Sequence, residues 1–201
     1  MQRKIALLLI VSLAVIGLDQ LTKYFIVKDL TRRMDGVATL SGRLDALYSK
    51  PEQSRGGLHF APKGDYTVSD NFMRLRYAEN PGAAWGLLRN VPERIRTPFF
   101  HVISWVAVGL ILFYFFKLAR GGGGDGWTLA GLSLVLGGAI GNYLDRLARG
   151  FVVDFIDVHW FAKAAWPSFN IADSAICVGA ALILLESFRH KDAKAPATVR
   201  T

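Results

Sequence analysis

The stretch WTLAGLSLVLGGAIGNYLDRL, residues 127–147, contains no charged residue before Asp145. A helix of about 20 residues crosses a bilayer, so this stretch is long enough to span one. Three other apolar stretches of similar length occupy residues 5–27, 99–118 and 169–188. Lipid offers the backbone no hydrogen-bond partner, and each stretch is therefore expected to be helical. The sequence predicts a mainly α membrane protein, a four-transmembrane-helix bundle that forms a single membrane domain over residues 1–201.

Lysine and arginine residues are concentrated at one set of span ends. They precede the first span and follow the second and fourth: Arg3, Lys4, Lys117, Arg120, Arg189, Lys191 and Lys194. The positive-inside rule then predicts that both termini are cytoplasmic. Residues 28–96 would lie outside, although they carry 12 Lys+Arg against 8 Asp+Glu. Loops of this length are translocated largely regardless of their charge.

The N-terminus has the outline of a signal peptide, with Arg3 and Lys4 before an apolar run. No small-x-small cleavage site follows, and apolar character resumes at Leu21. The first span is therefore expected to be uncleaved.

The formal net charge of +8 is attributed to contact with phospholipid headgroups. No basic stripe interleaved with aromatic residues is present, so no nucleic-acid partner is expected. The only cysteine, Cys177, lies within the fourth span and is expected to pack as a small apolar side chain.

Residues 28–96 are expected to form an extracytoplasmic loop and sheet region on the membrane surface. Alternating apolar residues over 71–79 indicate a strand, Asn80-Pro81-Gly82 a turn, and residues 83–88 a returning strand. Residues 31–70 are polar and poorly periodic, which is typical of a loop, with a short helix near residues 40–47.

Two aspartates, Asp154 and Asp173, lie at the edges of the third and fourth apolar stretches. Carboxylates are costly at such positions and are functional candidates by default. Asn170 is a candidate N-cap, and Asp173 would then occupy the first helical turn, where the helix dipole favours an anion. Capping alone would explain both residues of the fourth span.

Other polar residues are predicted to meet the two aspartates at the same outer face. Asp19 and Lys23 are four apart and can pair on one helix face, as can Asn142 and Arg146, while Asn80 lies in the predicted turn. Gly137 and Gly141 form a small-xxx-small face that allows a neighbouring helix to approach closely.

Two carboxylates that lie within a few ångströms of each other share one proton, so that one acts as base and the other as acid. That arrangement, without metal or other cofactor, suits aspartic proteolysis at the outer edge of the membrane. A metal site formed by Asp154, Asp157 and His159 is a second interpretation of the same segment.

Five motifs now stand in order along the chain: DQLTK at 19–23, NPGAAWG at 80–86, GGAIGNYLDR at 137–146, VVDF at 152–155 and FNIADS at 169–174. Together with the four spans, they resemble lipoprotein signal peptidase, or signal peptidase II. The resemblance covers nearly the whole chain except about residues 31–70 and the tail after residue 190.

The resemblance implies an aspartic endopeptidase of the bacterial inner membrane, with Asp154 and Asp173 as the catalytic pair near the outer face. Its substrate would be a diacylglyceryl-modified prolipoprotein, cut before the lipidated cysteine. The positions that would support the site are Asp19, Lys23, Asn80, Gly82, Asn142, Arg146 and Asn170. A monomer is expected, since no symmetric interface signal is present.

The segment between Lys23 and Asn80 is longer than expected for the family, by about thirty residues against ordinary loop lengths. It is interpreted as an exposed insertion. Two other classes of protein stay open from the residues alone. One is a non-catalytic membrane assembly or binding protein, and the other is a metal-dependent membrane enzyme acting on lipid phosphates.

Overall fold

The computed structural model describes residues 1–50, 58–82, 88, 91–121, 126–161 and 164–193. Its elements in chain order are α1 (Gln2–Leu30), α2 (Leu40–Tyr48), β1 (Tyr66–Ser69), β2 (Met73–Asn80), α3 (Glu93–Arg120), α4 (Gly126–Arg149), β3 (Val152–Trp160), β4 (Ala164–Ala165) and α5 (Ile171–Ala193).

Four of the helices, α1, α3, α4 and α5, are long and apolar enough to cross a membrane, which confirms the predicted spans. α1, α3 and α4 extend beyond the apolar stretches at both ends, and α5 begins two residues later than expected. Large apolar side chains such as Leu13, Val102 and Phe113 are more than 60% exposed. A surface of this kind is suited to lipid contact, because hydrocarbon solvates it without cost.

α4 lies at the centre of the bundle and packs against α1, α3 and α5. Its glycines permit this. A Cβ at Gly137 would lie 2.9 Å from the Ser12 carbonyl oxygen of α1, and one at Gly138 would lie 2.4 Å from the Ala172 carbonyl oxygen of α5. The predicted close approach at Gly137 and Gly141 is confirmed, since a Cβ at Gly141 would also meet α1, 2.8 Å from Asp19 Oδ2.

The strands form one antiparallel sheet in the order β1-β2-β3-β4. The strand expected over 71–79 is confirmed as β2. Its partner is β3, with Ala78 opposite Asp154 and Asn80 opposite Val152. β3 has no counterpart among the predicted strands, and the returning strand expected at residues 83–88 lies almost entirely outside the described residues.

The insertion is packed against the sheet, contrary to the expectation of an exposed loop. Its short helix is present as α2, and its Met34, Leu47 and Phe60 are buried in one core with Val153 and Phe155 of β3. The polar composition led to the wrong expectation, because a few apolar residues are enough to pack a mostly polar segment against the sheet.

Gly138, one of the glycines at the α4–α5 contact, generates a stability prediction. Gly138→Ala would place a methyl group 2.4 Å from a backbone oxygen, so one helix has to shift. We expect a loss of about 1–3 kcal/mol, as for overpacked cores, measured as a lower thermal unfolding midpoint in detergent.

Gly17→Ala in α1 is the matched control, because a Cβ at Gly17 meets nothing within 4 Å. This variant should be neutral or slightly more stable, since alanine favours helix. Equal midpoints for the two variants would contradict the described packing.

Candidate active site

A cavity of about 750 Å³ lies where the sheet meets α4 and α5. Both candidate catalytic residues, Asp154 and Asp173, line it. Three of the predicted supporting residues line it as well: Asn80, Asn142 and Arg146. The fold therefore brings together residues from four elements that lie far apart in the sequence.

β3 directs Asp154 into the cavity. Side chains alternate between the two faces of a strand, so Asp154 and Asp157 point in opposite directions. Asp157 Oδ2 accepts hydrogen bonds from Arg74 Nη2 at 3.2 Å and Arg76 Nη1 at 3.1 Å. The strand therefore separates Asp154 from Asp157, two members of the metal site considered from the sequence. The described residues contain no cluster of three metal-ligating side chains.

The start of α5 holds Asp173. The backbone N–H of Asp173 donates to Asn170 Oδ1 at 2.9 Å, and the backbone N–H of Asn170 donates to Asp173 Oδ2 at 3.3 Å. This reciprocal pattern is a capping box, which confirms the predicted N-cap. Because it fixes the first turn, it also fixes the Asp173 carboxylate.

Three amide side chains donate to the two carboxylates. Asn170 Nδ2 lies 2.7 Å from Asp154 Oδ1, and Asn80 Nδ2 lies 3.0 Å from Asp154 Oδ2. Asn142 Nδ2 lies 2.7 Å from Asp173 Oδ1. Asn170 therefore touches both aspartates, one through its side chain and the other through its backbone.

Burial, with the nearby Asp173 carboxylate as the second cause, raises the pKa of Asp154 to about 7. The amides of Asn80 and Asn170 and the charge of Lys23 oppose the rise. Asp154 is 3% exposed, whereas Asp173 is half-buried. Near neutral pH a proton on the pair is thus favoured at Asp154.

A cluster of four buried charges lies next to Asn142, which lines the cavity. Lys23 Nζ is 2.7 Å from Asp19 Oδ2 and 2.9 Å from Asp145 Oδ2, and Asp145 also pairs with Arg149. All four side chains are at most 2% exposed. The predicted Asp19–Lys23 pair is present, but it is an internal ion pair and does not lie at an exposed membrane edge.

Three hydrogen bonds connect the charge cluster to the elements that line the cavity. Asp19 Oδ1 accepts from the backbone N–H of Ala172, one residue before Asp173, at 3.1 Å. Asp145 Oδ2 accepts from the backbone N–H of Val153, one residue before Asp154, at 3.1 Å. Lys23 Nζ donates to Asn142 Oδ1 at 3.4 Å.

Asp145 and Arg149 were not selected as site residues from the sequence, nor was Gln20, which donates to both Asp19 and Asp145. A signal was available. Asp145 and Arg149 are four apart on α4, as Asp19 and Lys23 are on α1, and ionisable residues within spans face the bundle interior and pair with one another.

Arg146 and Gly82 also meet. Arg146 Nη2 donates to the Gly82 carbonyl oxygen at 3.1 Å, and the guanidinium lies 4.7 Å from the Phe100 ring centre. The backbone N–H of Gly82 donates to Asn80 Oδ1 at 3.1 Å, so the turn is tied to the amide that binds Asp154.

Cys177 does not pack in the interior as expected. It is exposed on α5 and lines the cavity, one helical turn beyond Asp173.

Comparison with known proteins decides the family. A model of the family described as signal peptidase (SPase) II matches residues 11–189. The chain belongs to the signal peptidase II family. A lipoprotein signal peptidase from Anaeromyxobacter sp. (strain Fw109-5) is 41% identical over 197 residues, covering 95% of this chain and 89% of the relative. One from Syntrophotalea carbinolica is 40% identical over 183 residues, covering 91% of each chain.

A solved structure of a bacterial membrane enzyme, determined by the in meso method at 2.3 Å resolution, matches with a TM-score of 0.67 and 25% identity, covering 96% of this chain and 94% of that one. The resemblance read from the five motifs is therefore confirmed. So are the predicted enzyme class, a membrane aspartic peptidase, and the assignment to a bacterial membrane.

The raised pKa of Asp154 generates a prediction about stability. The pKa of the Asp154 carboxyl is 3.8 in the unfolded chain and about 7 in the folded protein, so ionisation destabilises the folded state. Below the unfolded value the carboxyl is protonated in both states and costs nothing. As the pH rises from 3.8 to about 7, the free energy of unfolding of the parent chain should fall, whereas that of Asp154→Asn should not show this fall.

The measurement is the thermal midpoint of both proteins across this pH range. The difference in favour of Asp154→Asn should grow with pH. A difference that does not change with pH would contradict the account.

Proposed function

We propose that this chain is a membrane-embedded aspartic endopeptidase that removes the signal peptide from diacylglyceryl-modified prolipoproteins, cutting before the lipidated cysteine. The observation that carries the proposal is the contact of Asn170 with both Asp154 and Asp173 at the wall of a cavity. One residue that binds two carboxylates holds them as a pair. The names of the relatives supply the substrate class.

Burial and position divide the roles of the two carboxylates. Asp154, deeply buried, holds the shared proton and acts as the acid. Asp173 acts as the base, because it lies in the first turn of α5, where the helix dipole favours its anion, and accepts from two N–H groups.

The reaction follows from this division. Asp173 takes a proton from a water molecule, and the water oxygen bonds to the carbon of the scissile peptide carbonyl. Asp154 gives its proton to the carbonyl oxygen, which forms a neutral tetrahedral diol. Asp173 then passes its proton to the peptide nitrogen as the carbon–nitrogen bond breaks, and Asp154 recovers a proton from the diol.

The supporting residues position this pair. Asn80 and Asn142 fix the two carboxylates by amide hydrogen bonds, and Asp19 with Lys23 supports α5 and Asn142 from below. Gly82, tied to Arg146, holds the turn that carries Asn80. Substrate backbone would lie against Asn80, Arg146 and the turn, and no metal or cofactor takes part.

The cavity lies at the end of the bundle opposite both termini. Lys4 Nζ donates to the Ala119 carbonyl oxygen, so the start of α1 and the end of α3 share one end. With cytoplasmic termini, as the positive charges favour, the active site lies near the outer face of the inner membrane. The chain acts as a monomer and a single domain, with phospholipid around the spans.

The test is cleavage of a lipidated prolipoprotein by purified protein in a bilayer. Asp154→Asn and Asp173→Asn should each lower kcat by at least about a hundredfold, the scale of a lost general acid or base. A chelator should have no effect on the parent enzyme.

Asp157→Asn is the matched control, because Asp157 lies on the other face of β3 and pairs with Arg74 and Arg76. It should retain cleavage. Activity that persists in either variant of the pair, or that a chelator abolishes, would refute the mechanism.

A further inference from the structure

Glu79 is the neighbour of Asn80 on β2, and its carboxylate has no part in the reaction described above. Asn80 is directed to Asp154, and successive side chains of a strand point to opposite faces. The Glu79 carboxylate therefore lies on the other face of the sheet. That face is covered by the insertion, whose Phe60 packs in one core with Val153.

Both oxygens of the Glu79 carboxylate are bound. Oε1 accepts from the Tyr77 hydroxyl at 2.8 Å and from the backbone N–H of Phe60 at 3.1 Å. Oε2 lies 2.5 Å from His59 Nδ1, and because a carboxylate only accepts, Nδ1 is the donor. The Glu79 side chain is 6% exposed, so the carboxylate depends on these partners in place of water. Two of the donors, on His59 and Phe60, come from the insertion.

The two insertion residues that bind Glu79 are themselves fixed by aromatic contacts. The His59 ring stacks on Phe151, with 5.0 Å between ring centres and 14° between planes. Phe60 stacks on Tyr77 at 5.8 Å and meets Phe151 edge to face at 5.8 Å. Phe151 directly precedes β3 and Tyr77 belongs to β2. The insertion therefore holds the end of one strand against the start of the other.

The position of Asn80 depends on this contact. Asn80 is the last residue of β2 and is opposite Val152 in the sheet. Its amide donates to Asp154 Oδ2 at 3.0 Å, and its Oδ1 accepts from the backbone N–H of Gly82. Because Glu79 and Asn80 share a peptide bond, a fixed Glu79 also fixes the backbone that carries the Asn80 amide.

We propose that Glu79 and His59 are positioning residues for the cleavage reaction, and that their contact holds Asn80 against Asp154. The inference rests on the proposed function, since it concerns the same pair of carboxylates. Neither residue touches the reacting groups, and both act through Asn80. The insertion thus contributes to the reaction through the His59 side chain and the Phe60 backbone.

The test measures cleavage of a lipidated prolipoprotein in bilayers across a range of pH. His59→Phe keeps an aromatic ring against Phe151 but removes the donor, and Glu79→Ala removes the acceptor. Glu79→Gln is the conservative variant. Its side-chain oxygen can still accept from Tyr77 and Phe60, and its amide can donate to the other tautomer of His59.

Two comparisons isolate the positioning effect. Glu79→Gln and Glu79→Ala remove the same charge, so a direct electrostatic effect of that charge on the site is common to both. Asp35→Asn is the matched control within the insertion, because Asp35 forms an exposed ion pair with Lys63. Both Glu79→Gln and Asp35→Asn should cleave as the parent does.

His59→Phe and Glu79→Ala should lower kcat about ten- to a hundredfold with KM nearly unchanged, the scale of a small misplacement within a site. The hydrogen bond from Asn80 lowers the pKa of Asp154, so its loss should raise that pKa. The fall in kcat/KM that accompanies loss of the Asp154 proton should therefore move to higher pH in both variants. A smaller amount of folded protein would lower activity without moving this fall.

Parental kcat in His59→Phe and Glu79→Ala would overturn the inference and leave the proposed function standing. A lower kcat without the shift in pH, or a loss that Glu79→Gln shares in full, would also overturn it. A parent chain that does not cleave would refute the proposed function and this inference with it. If Glu79→Ala does not fold, His59→Phe decides alone.

Discussion

Four buried charges, Asp19, Lys23, Asp145 and Arg149, hold this molecule in its working arrangement. Two carboxylates face two cations, so the cluster is neutral although each member is removed from water. Loss of one member would leave a buried charge without its counter-ion, which costs about 3–5 kcal/mol in comparable cases. The helices α1 and α4 can therefore adopt only a register in which the charges meet.

That register determines where Asp154 and Asp173 lie. Each carboxylate of the cluster accepts the N–H of the residue immediately before one aspartate of the proposed catalytic pair, Ala172 before Asp173 and Val153 before Asp154. Asn170 donates hydrogen bonds to both aspartates, from its side chain to Asp154 and from its backbone to Asp173. The pair is thus held by backbone and amide groups that carry no net charge, which leaves the shared proton governed by burial and by the mutual repulsion of the two carboxylates.

Sequence reasoning could predict the four spans because a run of apolar residues has only one stable form in lipid. It could also predict the cap at Asn170, since capping depends on residues three apart. β3 could not be predicted in the same way. Its residues 152–156 are buried or half-buried without alternation, and the only polar residue among these five, Asp154, lines the cavity. The strand forms because β2 pairs with it across a long sequence separation.

The insertion shows the same limit. Leu47 and Phe60 are isolated apolar residues in polar surroundings, and nothing local reveals that they enter the core beside Val153. The links of Asp145 to Arg149 and to Val153 likewise depend on the packing of α4 against α1 and β3. The proposed catalytic pair could be selected by its cost in a membrane, and most of the supporting residues by the motifs in which they stand. The positions of Asp145, Arg149 and Gln20 in the buried cluster became evident only from the fold.

The central claim is that Asp154 and Asp173 share one proton, held by Asp154. The most direct test is the pH dependence of kcat/KM for cleavage of a lipidated prolipoprotein in bilayers. The account predicts that kcat/KM falls as the pH rises through about 7, where Asp154 loses its proton. A profile that rises with pH and then stays level would contradict it, because no carboxylic acid would then be needed.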